Sequence, residues 1–274
     1  MIRLTTLVLE TARKVEKSET NALFSRLNTI RNMEGNPNEV HIEHFGNTTA
    51  FIAKGIPDPY FNSVRGFTFA DIELLDPILE FYRNHNVKCR MDIAPFDVEP
   101  ELLIRLSERG YYQYGFHTAL YRKINIPLPQ TYNKESLVIR KLREDEFGLF
   151  GEIYTKGFGM SDFLSSAIAK NNQVLYHVPG WHFYLATYNN SPAAIAVLNV
   201  QDGIGSFAAA TTLPDFRGRG CQTALLEERL KDAAELDCEL VVSQSRFGSV
   251  SQSNMERVGM RIAYTKSLWK EISK

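Results

Sequence analysis

The sequence predicts an α/β protein, a mixed sheet flanked by helices, with one fold used twice along the chain. Three observations carry this. Short apolar stretches of strand length alternate with stretches whose apolar residues recur at helical spacing. An apolar run from Ile204 to Thr212 passes through a glycine-rich turn straight into an amphipathic helix. Two helix–strand junctions also echo each other. Ser107-Glu108-Arg109-Gly110-Tyr111 leads to a strand ending Leu120-Tyr121-Arg122-Lys123-Ile124, and Glu256-Arg257-Val258-Gly259-Met260 leads to one ending Leu268-Trp269-Lys270-Glu271-Ile272. Leu120 and Leu268 stand at the same offset as Ile124 and Ile272, which is the mark of a domain-scale repeat.

A chain of 274 residues has room for about two domains, each with its own core. Hydrophobic content of 44% and charged content of 23% are ordinary for a globular protein. A net charge of −1 gives no basic excess, so no duplex-binding surface is expected and no nucleic-acid partner. The first residues lack a long apolar core, which argues against a secretory signal or a membrane span. Cys89, Cys221 and Cys238 are widely spaced with no C-x-x-C, so neither a disulfide framework nor a zinc site is expected, no metal is called for, and the cytoplasm is the default compartment.

In chain order, Leu4 to Met33 reads as one or two helices, ended by Gly35-Asn36-Pro37. Val40 to Phe45 and Thr48 to Lys54 read as strands around a Phe45-Gly46-Asn47 turn. Phe61 to Phe69 is extended. Asp71 is placed to cap a helix to Asn84 whose inner side carries Ile72, Leu75, Ile78, Leu79 and Tyr82. Val87 to Ile93 is a strand, Pro100 to Arg109 a helix and Tyr111 to Ile124 a long strand. Ile126-Pro127-Leu128-Pro129-Gln130-Thr131 is a linker, since its prolines favour an extended segment that joins no sheet. The second half opens with the Leu137 to Leu142 strand and an acidic start to a helix. A helix over Asp162 to Asn171 comes next, then a hairpin of Phe183 to Tyr188 and Ala193 to Val200. The Ile204 strand, the Thr223 to Leu236 helix, the Leu240 to Gln244 strand, a Ser249 to Arg257 helix and a Met260 to Lys270 strand complete it.

The turn between the Ile204 strand and its helix is Pro214-Asp215-Phe216-Arg217-Gly218-Arg219-Gly220-Cys221. Glycine permits φ > 0 and close approach of backbone N–H groups to a ligand, and a helix N-terminus supplies unpaired donors and the positive end of a dipole. The arrangement suits a phosphate. It is neither a Walker loop nor a dinucleotide fingerprint, because no Gly-Lys-Ser/Thr and no G-x-G-x-x-G is present.

The string resembles the acyl-coenzyme A loop of the GCN5-related N-acetyltransferases, R/Q-x-x-G-x-G/A. Arg217 and Gly220 fit it, and Gln222 stands where glycine or alanine is usual. A helix, then glycine with a large apolar residue, then a strand is how domains of that family close. The resemblance therefore implies two acyl-CoA N-acyltransferase-like domains in tandem, 1–125 and 137–274, joined by 126–136. The first half carries Val64-Arg65-Gly66-Phe67-Thr68-Phe69-Ala70-Asp71 where the loop belongs, and reads as a degenerate copy that has lost coenzyme binding.

The same resemblance implies direct transfer of an acetyl group from acetyl-coenzyme A to a primary amine of a small-molecule or peptide acceptor. The amides of Arg217, Gly218, Arg219, Gly220, Cys221, Gln222 and Thr223 would meet the pyrophosphate. The main chain of Ala210, Thr211 and Thr212 would pair with the pantetheine arm, with the Thr212 amide toward the acetyl carbonyl. A tyrosine often lies four residues before the closing glycine as the acid for the leaving thiolate. Gly259 puts Met255 at that place, and Gly248 replaces an expected asparagine. Ser251, Ser253 and Tyr264 are candidate substitutes, Tyr264 being equally suited to core packing. His177, His182, Glu152 and Asp162 flank the acceptor region, and none is assigned as base. Gly157 to Trp181 is either a substrate wall or a packed helix and turn. Cys221 is either an activated thiol or a small residue filling the loop.

Met255 and the lack of a carboxylate in the Ile204 strand keep a second class open, a coenzyme A-binding sensor or scaffold whose chemistry has decayed. A transferase using aminoacyl-tRNA is a third reading, disfavoured by the charge. Acceptor and oligomeric state, monomer or homodimer, are not legible.

Overall fold

The computed structural model describes residues 7–124 and 136–272, so nearly all of the linker expected at 126–136 lies outside the described residues. The first half runs α1 (Leu9–Arg31), β1 (Val40–Phe45), β2 (Thr48–Ala53), β3 (Ser63–Arg65), α2 (Leu75–Asn84), β4 (Arg90–Ile93), α3 (Pro100–Glu108) and β5 (Tyr111–Lys123). The second runs β6 (Leu137–Lys141), α4 (Phe147–Phe158), α5 (Ser165–Gln173), β7 (Trp181–Tyr188), β8 (Ser191–Gln201), β9 (Ile204–Thr212), α6 (Cys221–Glu235), β10 (Leu240–Arg246), α7 (Val250–Arg257) and β11 (Arg261–Glu271). The order is that of a mixed α/β fold used twice.

The chain divides into two compact units. Unit 1 is Met1–Ala119 with Ser245–Phe247 and Ile262–Lys274; unit 2 is Leu120–Gln244 with Gly248–Arg261. This departs from the expected split into 1–125 and 137–274, because unit 1 takes in nearly all of β11 and unit 2 takes in the last residues of β5.

In unit 1 the strands run β1-β2-β3-β4-β11-β5. The β1/β2 hairpin pairs Val40 with Ala53 and Phe45 with Thr48. β3 and β4 are parallel, and β11 lies antiparallel to β4 with Leu268 opposite Asp92. One face carries an apolar core of Ile52, Val64, Leu75, Ile78, Leu102 and Trp269, packed against α2 and α3. The expected Asp71 cap is not formed. Its carboxylate is buried and accepts from Thr48 Oγ1 at 3.0 Å, so a 3-10 turn over Phe69–Leu74 precedes α2, which starts without a side-chain cap.

Unit 2 places β6, β7, β8 and β9 as an antiparallel meander and β10 parallel to β9, with the end of β5 beyond it. Both faces are covered. Leu198, Phe207, Leu225, Leu226 and Leu230 form the core on the α6 side, and Phe147, Phe150, Phe183, Ile195 and Val197 form the one on the α4 side. Sheets with helices on both faces bind ligands at the carboxyl ends of their parallel strands, here the ends of β9 and β10.

Candidate active site

β9 and β10 pair from Leu240↔Ile204 to Ser243↔Phe207, and there the pairing stops although β9 runs on to Thr212. At the same point β9 is bulged against β8. Phe207 faces Leu198 and Ala209 faces Val197, leaving Ala208 as an extra residue. A bulge re-aims the residues beyond it. Before it, Phe207 packs on the α6 side; after it, Ala209 packs on the α4 side and Ala210 on the α6 side.

Backbone directions are set by the same register. The Leu213 amide donates to the Ala193 carbonyl, toward β8. Alternate residues of a strand point their N–H groups to opposite sides. Thr211 and Ala209 therefore also face β8, while Ala210 and Thr212 turn their amides to the edge that β10 has left. Thr212 Oγ1 is itself buried with no hydrogen-bond partner among the described residues. A buried hydroxyl without a partner is uncommon and calls for an explanation.

The loop after β9 begins with a 3-10 turn over Pro214–Phe216, and Gly218 and Gly220 take φ of 74° and 91°. Both lie in the left-handed region where glycine is unstrained. Gly220 is the N-cap of α6, and no side chain caps the helix. The amides of Arg217 and Arg219 are used inside the turn, donating to Pro214 and Phe216 carbonyls at 3.2 and 3.4 Å. Those of Gly218, Gly220, Gln222 and Thr223 have no acceptor among the described residues. Among the expected pyrophosphate amides, two are thus spent on shaping the loop.

The arginines shape it too. Arg217 Nη2 donates to the Gly157 carbonyl at the end of α4, at 2.8 Å, and Arg219 stacks over Tyr188. Cys221 is buried in the α6 core, its thiol toward the Phe216 carbonyl, which matches the small-residue reading. Gly157 has a second role. A Cβ there would sit 2.6 Å from Thr211 Cγ2 and 3.0 Å from Thr211 Cβ, so the end of β9 fits against α4 only because the side chain is missing. Gly157→Ala is expected to cost about 1–3 kcal/mol, the usual toll of overpacking. Thermal unfolding by circular dichroism reads it.

The candidate acids separate. Ser251 is half-buried on α7 with no hydrogen-bond partner among the described residues, one turn before Met255, and Met255 is in the core. Ser253 Oγ donates to the Ser249 carbonyl. Tyr264 belongs to unit 1 rather than to the loop's unit, and its hydroxyl donates to Glu16. Burial, then Glu16 and Glu19, push that hydroxyl well above the ordinary tyrosine range. The flanking groups have separate surroundings. His177 pairs with Glu144 on the surface at 2.9 Å, and burial followed by Lys141 lowers His182. Glu152 and Asp162 are exposed. Residues 157–181 fold as α5 and its flanks, with Leu175 and Trp181 in the core, yet Phe158 and Phe163 remain 48% and 81% exposed beside the end of α4.

Tyr264 belongs to a buried charge network in unit 1 that the sequence did not reveal. Arg65 Nη1 lies 2.6 Å from Asp92 and 2.7 Å from Glu19, Arg90 Nη2 donates to Asp92 at 2.8 Å, and Lys266 bonds Glu19. Burial alone would raise the Asp92 carboxyl; Arg65, Lys266 and Arg90 outweigh it and hold it below the carboxylate range. Burial raises Glu16 above its ordinary range, and Glu19 adds to this while Lys266 opposes it. Where unit 2 has its glycine loop, unit 1 has Gly66 followed by the buried Phe67 and the 3-10 turn, with no second glycine.

The sequence pattern does not single out Arg229 as functional either. It falls on the inner stripe of α6, four residues after Leu225 and four before Ala233, and that position was the available signal.

No family model matches the sequence, and no curated protein matches it. Solved structures do. A GCN5-related N-acetyltransferase from Kribbella flavida is 13% identical with a TM-score of 0.65, over 91% of this chain and 96% of its own. One from Sphaerobacter thermophilus is 16% identical at TM-score 0.60, over 89% and 84%. A tandem GNAT protein from the clavulanic acid biosynthesis pathway is 11% identical at TM-score 0.60, over 95% and 98%. The fold is that of the GCN5-related N-acetyltransferases, in tandem. Among the described residues no helix is long and apolar enough to cross a membrane, and no three His, Cys, Asp or Glu group to hold a metal.

Proposed function

We propose that unit 2 binds acetyl-coenzyme A and passes its acetyl group directly to a primary amine. The single observation that carries this is the open edge of β9. The strand loses its parallel partner after Phe207, two amides turn to the vacated side, and the buried hydroxyl of Thr212 lacks a partner among the described residues. The loop continues that edge with free amides at the head of α6, suited to a diphosphate. The fold agrees, since likeness to acetyltransferase structures extends over most of the chain.

In this reading Gly218, Gly220, Cys221, Gln222 and Thr223 hold the diphosphate through their amides, while Arg217 and Arg219 fix the loop. Ala210, Thr211 and Thr212 form the strand against which the pantetheine arm lies. The Thr212 amide and hydroxyl stand where the acetyl carbonyl gathers negative charge as the amine attacks. Ser251 is the remaining candidate to give a proton to the departing thiolate. The acceptor is a small molecule or peptide carrying an amine, and the chain is placed in the cytoplasm.

Calorimetry with acetyl-coenzyme A, followed by thiol release against a panel of amines, tests the proposal; absence of any binding refutes it. Thr212→Val removes the hydroxyl and keeps the shape. Losing one such donor typically costs about 10²–10³ in turnover, so kcat is expected to fall while coenzyme affinity changes little. A second reading, a coenzyme-binding sensor, is favoured by Met255, whose burial leaves no proton donor at that place. Tight binding without amine-dependent thiol release supports it.

A further inference from the structure

We infer that Arg229 is a positioning residue for the proposed transfer: from the buried face of α6 it holds the bulge of β9, and so aims the amides of Ala210 and Thr212 at the open edge. The inference rests on the coenzyme reading of unit 2 and deepens it, by giving a part to a side chain that does not touch the substrate.

Arg229 is 1% exposed. Its Nε donates to the Leu225 carbonyl one turn back along the helix, at 3.0 Å, and Nη1 donates to the Val197 carbonyl of β8 at 3.3 Å. The guanidinium carbon lies 4.3 Å from the centre of the Phe207 ring. Val197 is the residue at which the β8/β9 register shifts, and Phe207 is the last residue of β9 paired before the extra Ala208. The Val197 and Phe207 contacts both fall at the bulge.

Among the described residues no carboxylate pairs with Arg229, and burial opposes its charge. An apolar side chain would fill the same space without that cost. It would not supply a rigid fork of donors aimed at a strand carbonyl. The parity of a strand gives that fork its function. A one-residue slip exchanges the two sides. Without the extra residue, Ala209 and Thr211 would face the open edge, and Ala210 and Thr212 would be spent on β8.

The test uses the full chain with Arg229→Met and Arg229→Lys. Residue-resolved amide exchange by NMR, without ligand, is expected to show Ala210 and Thr212 exchanging at least ~10-fold faster than Ala209 and Thr211 in the parent. Arg229→Met erases that alternation while circular dichroism stays unchanged. Calorimetry then compares coenzyme A with adenosine 3′-phosphate 5′-diphosphate, which reaches the loop and has no pantetheine arm. Arg229→Met is expected to lose ~10-fold or more in affinity for coenzyme A and to keep the nucleotide within about twofold, a difference of roughly 1.4 kcal/mol by the usual conversion. Arg229→Lys falls between, and carries the same comparison should the methionine variant not fold. An unchanged exchange pattern, or an equal loss for both ligands, overturns the inference. If the parent binds neither ligand, the coenzyme reading fails, and the exchange pattern still decides the role of Arg229.

Discussion

Asp92→Asn is expected to cost about 3–5 kcal/mol of stability at neutral pH, while Glu16→Gln, in the same buried network, costs no more than about 1 kcal/mol. Asp92 is the shared partner of Arg65, Arg90 and Lys266, and Arg65 and Lys266 have no exposed side-chain surface. Removing its charge leaves cations buried with too few anions. Glu16 is different because burial already favours its neutral form, and glutamine imitates that form. The pH dependences run in opposite directions. The native Asp92 carboxyl sits below its unfolded value, so its contribution is present above the ordinary aspartate range and is lost as pH falls through the native value. The native Glu16 carboxyl sits above its unfolded value, so its stabilising effect is full below the ordinary glutamate range and fades as pH rises through the native value. Urea unfolding of the three proteins at pH 5 and pH 7 separates these terms. Equal losses for the two variants would contradict the assignment.

Gly220→Val is expected to weaken coenzyme A binding by ~100-fold or more with only a modest loss of stability. At φ 91° a β-branched residue is strained by about 1–3 kcal/mol. The chain relieves this by rotating the adjoining peptides, and that rotation takes the amides at the head of α6 out of line. Gly218, whose amide belongs to the same proposed site, is expected to lose less binding on substitution by the smaller alanine. Its φ is 74°, but a Cβ there meets nothing within 4 Å, so Gly218→Ala carries about 1–2 kcal/mol of left-handed strain without a clash. Calorimetry on both variants, with melting curves as the check on folding, measures the contrast. Parent-like binding by Gly220→Val would remove the loop from the proposed site.

Much of this fold is legible in the chain. Periodicity and turn residues locate nearly all the helices and strands, since each carries its own apolar contrast. The glycine loop is legible because two glycines between strand and helix leave few backbone options. The bulge is not. Phe207-Ala208-Ala209-Ala210 has no large-and-small alternation to register one extra residue. The charge network is equally hidden. Glu16 and Glu19, Arg65, Asp92 and Lys266 come from four separate elements, and each alone reads as a surface charge. The place of β11, between β4 and β5, is invisible for a subtler reason: the two junctions carry the same local signal wherever their strands pair.

That placement of β11 bears on how the chain is made. Unit 1 needs residues 262–271 beside β4, yet α1 through β5 leave the ribosome long before them, on the order of ten seconds earlier at ordinary synthesis rates. Throughout that interval β4 offers a bare strand edge, and β5, bearing the same closing signature, is the nearest wrong mate. Native assembly then requires β5 to stand aside for a latecomer, and growing chains of this protein should lean on chaperones that shield such edges.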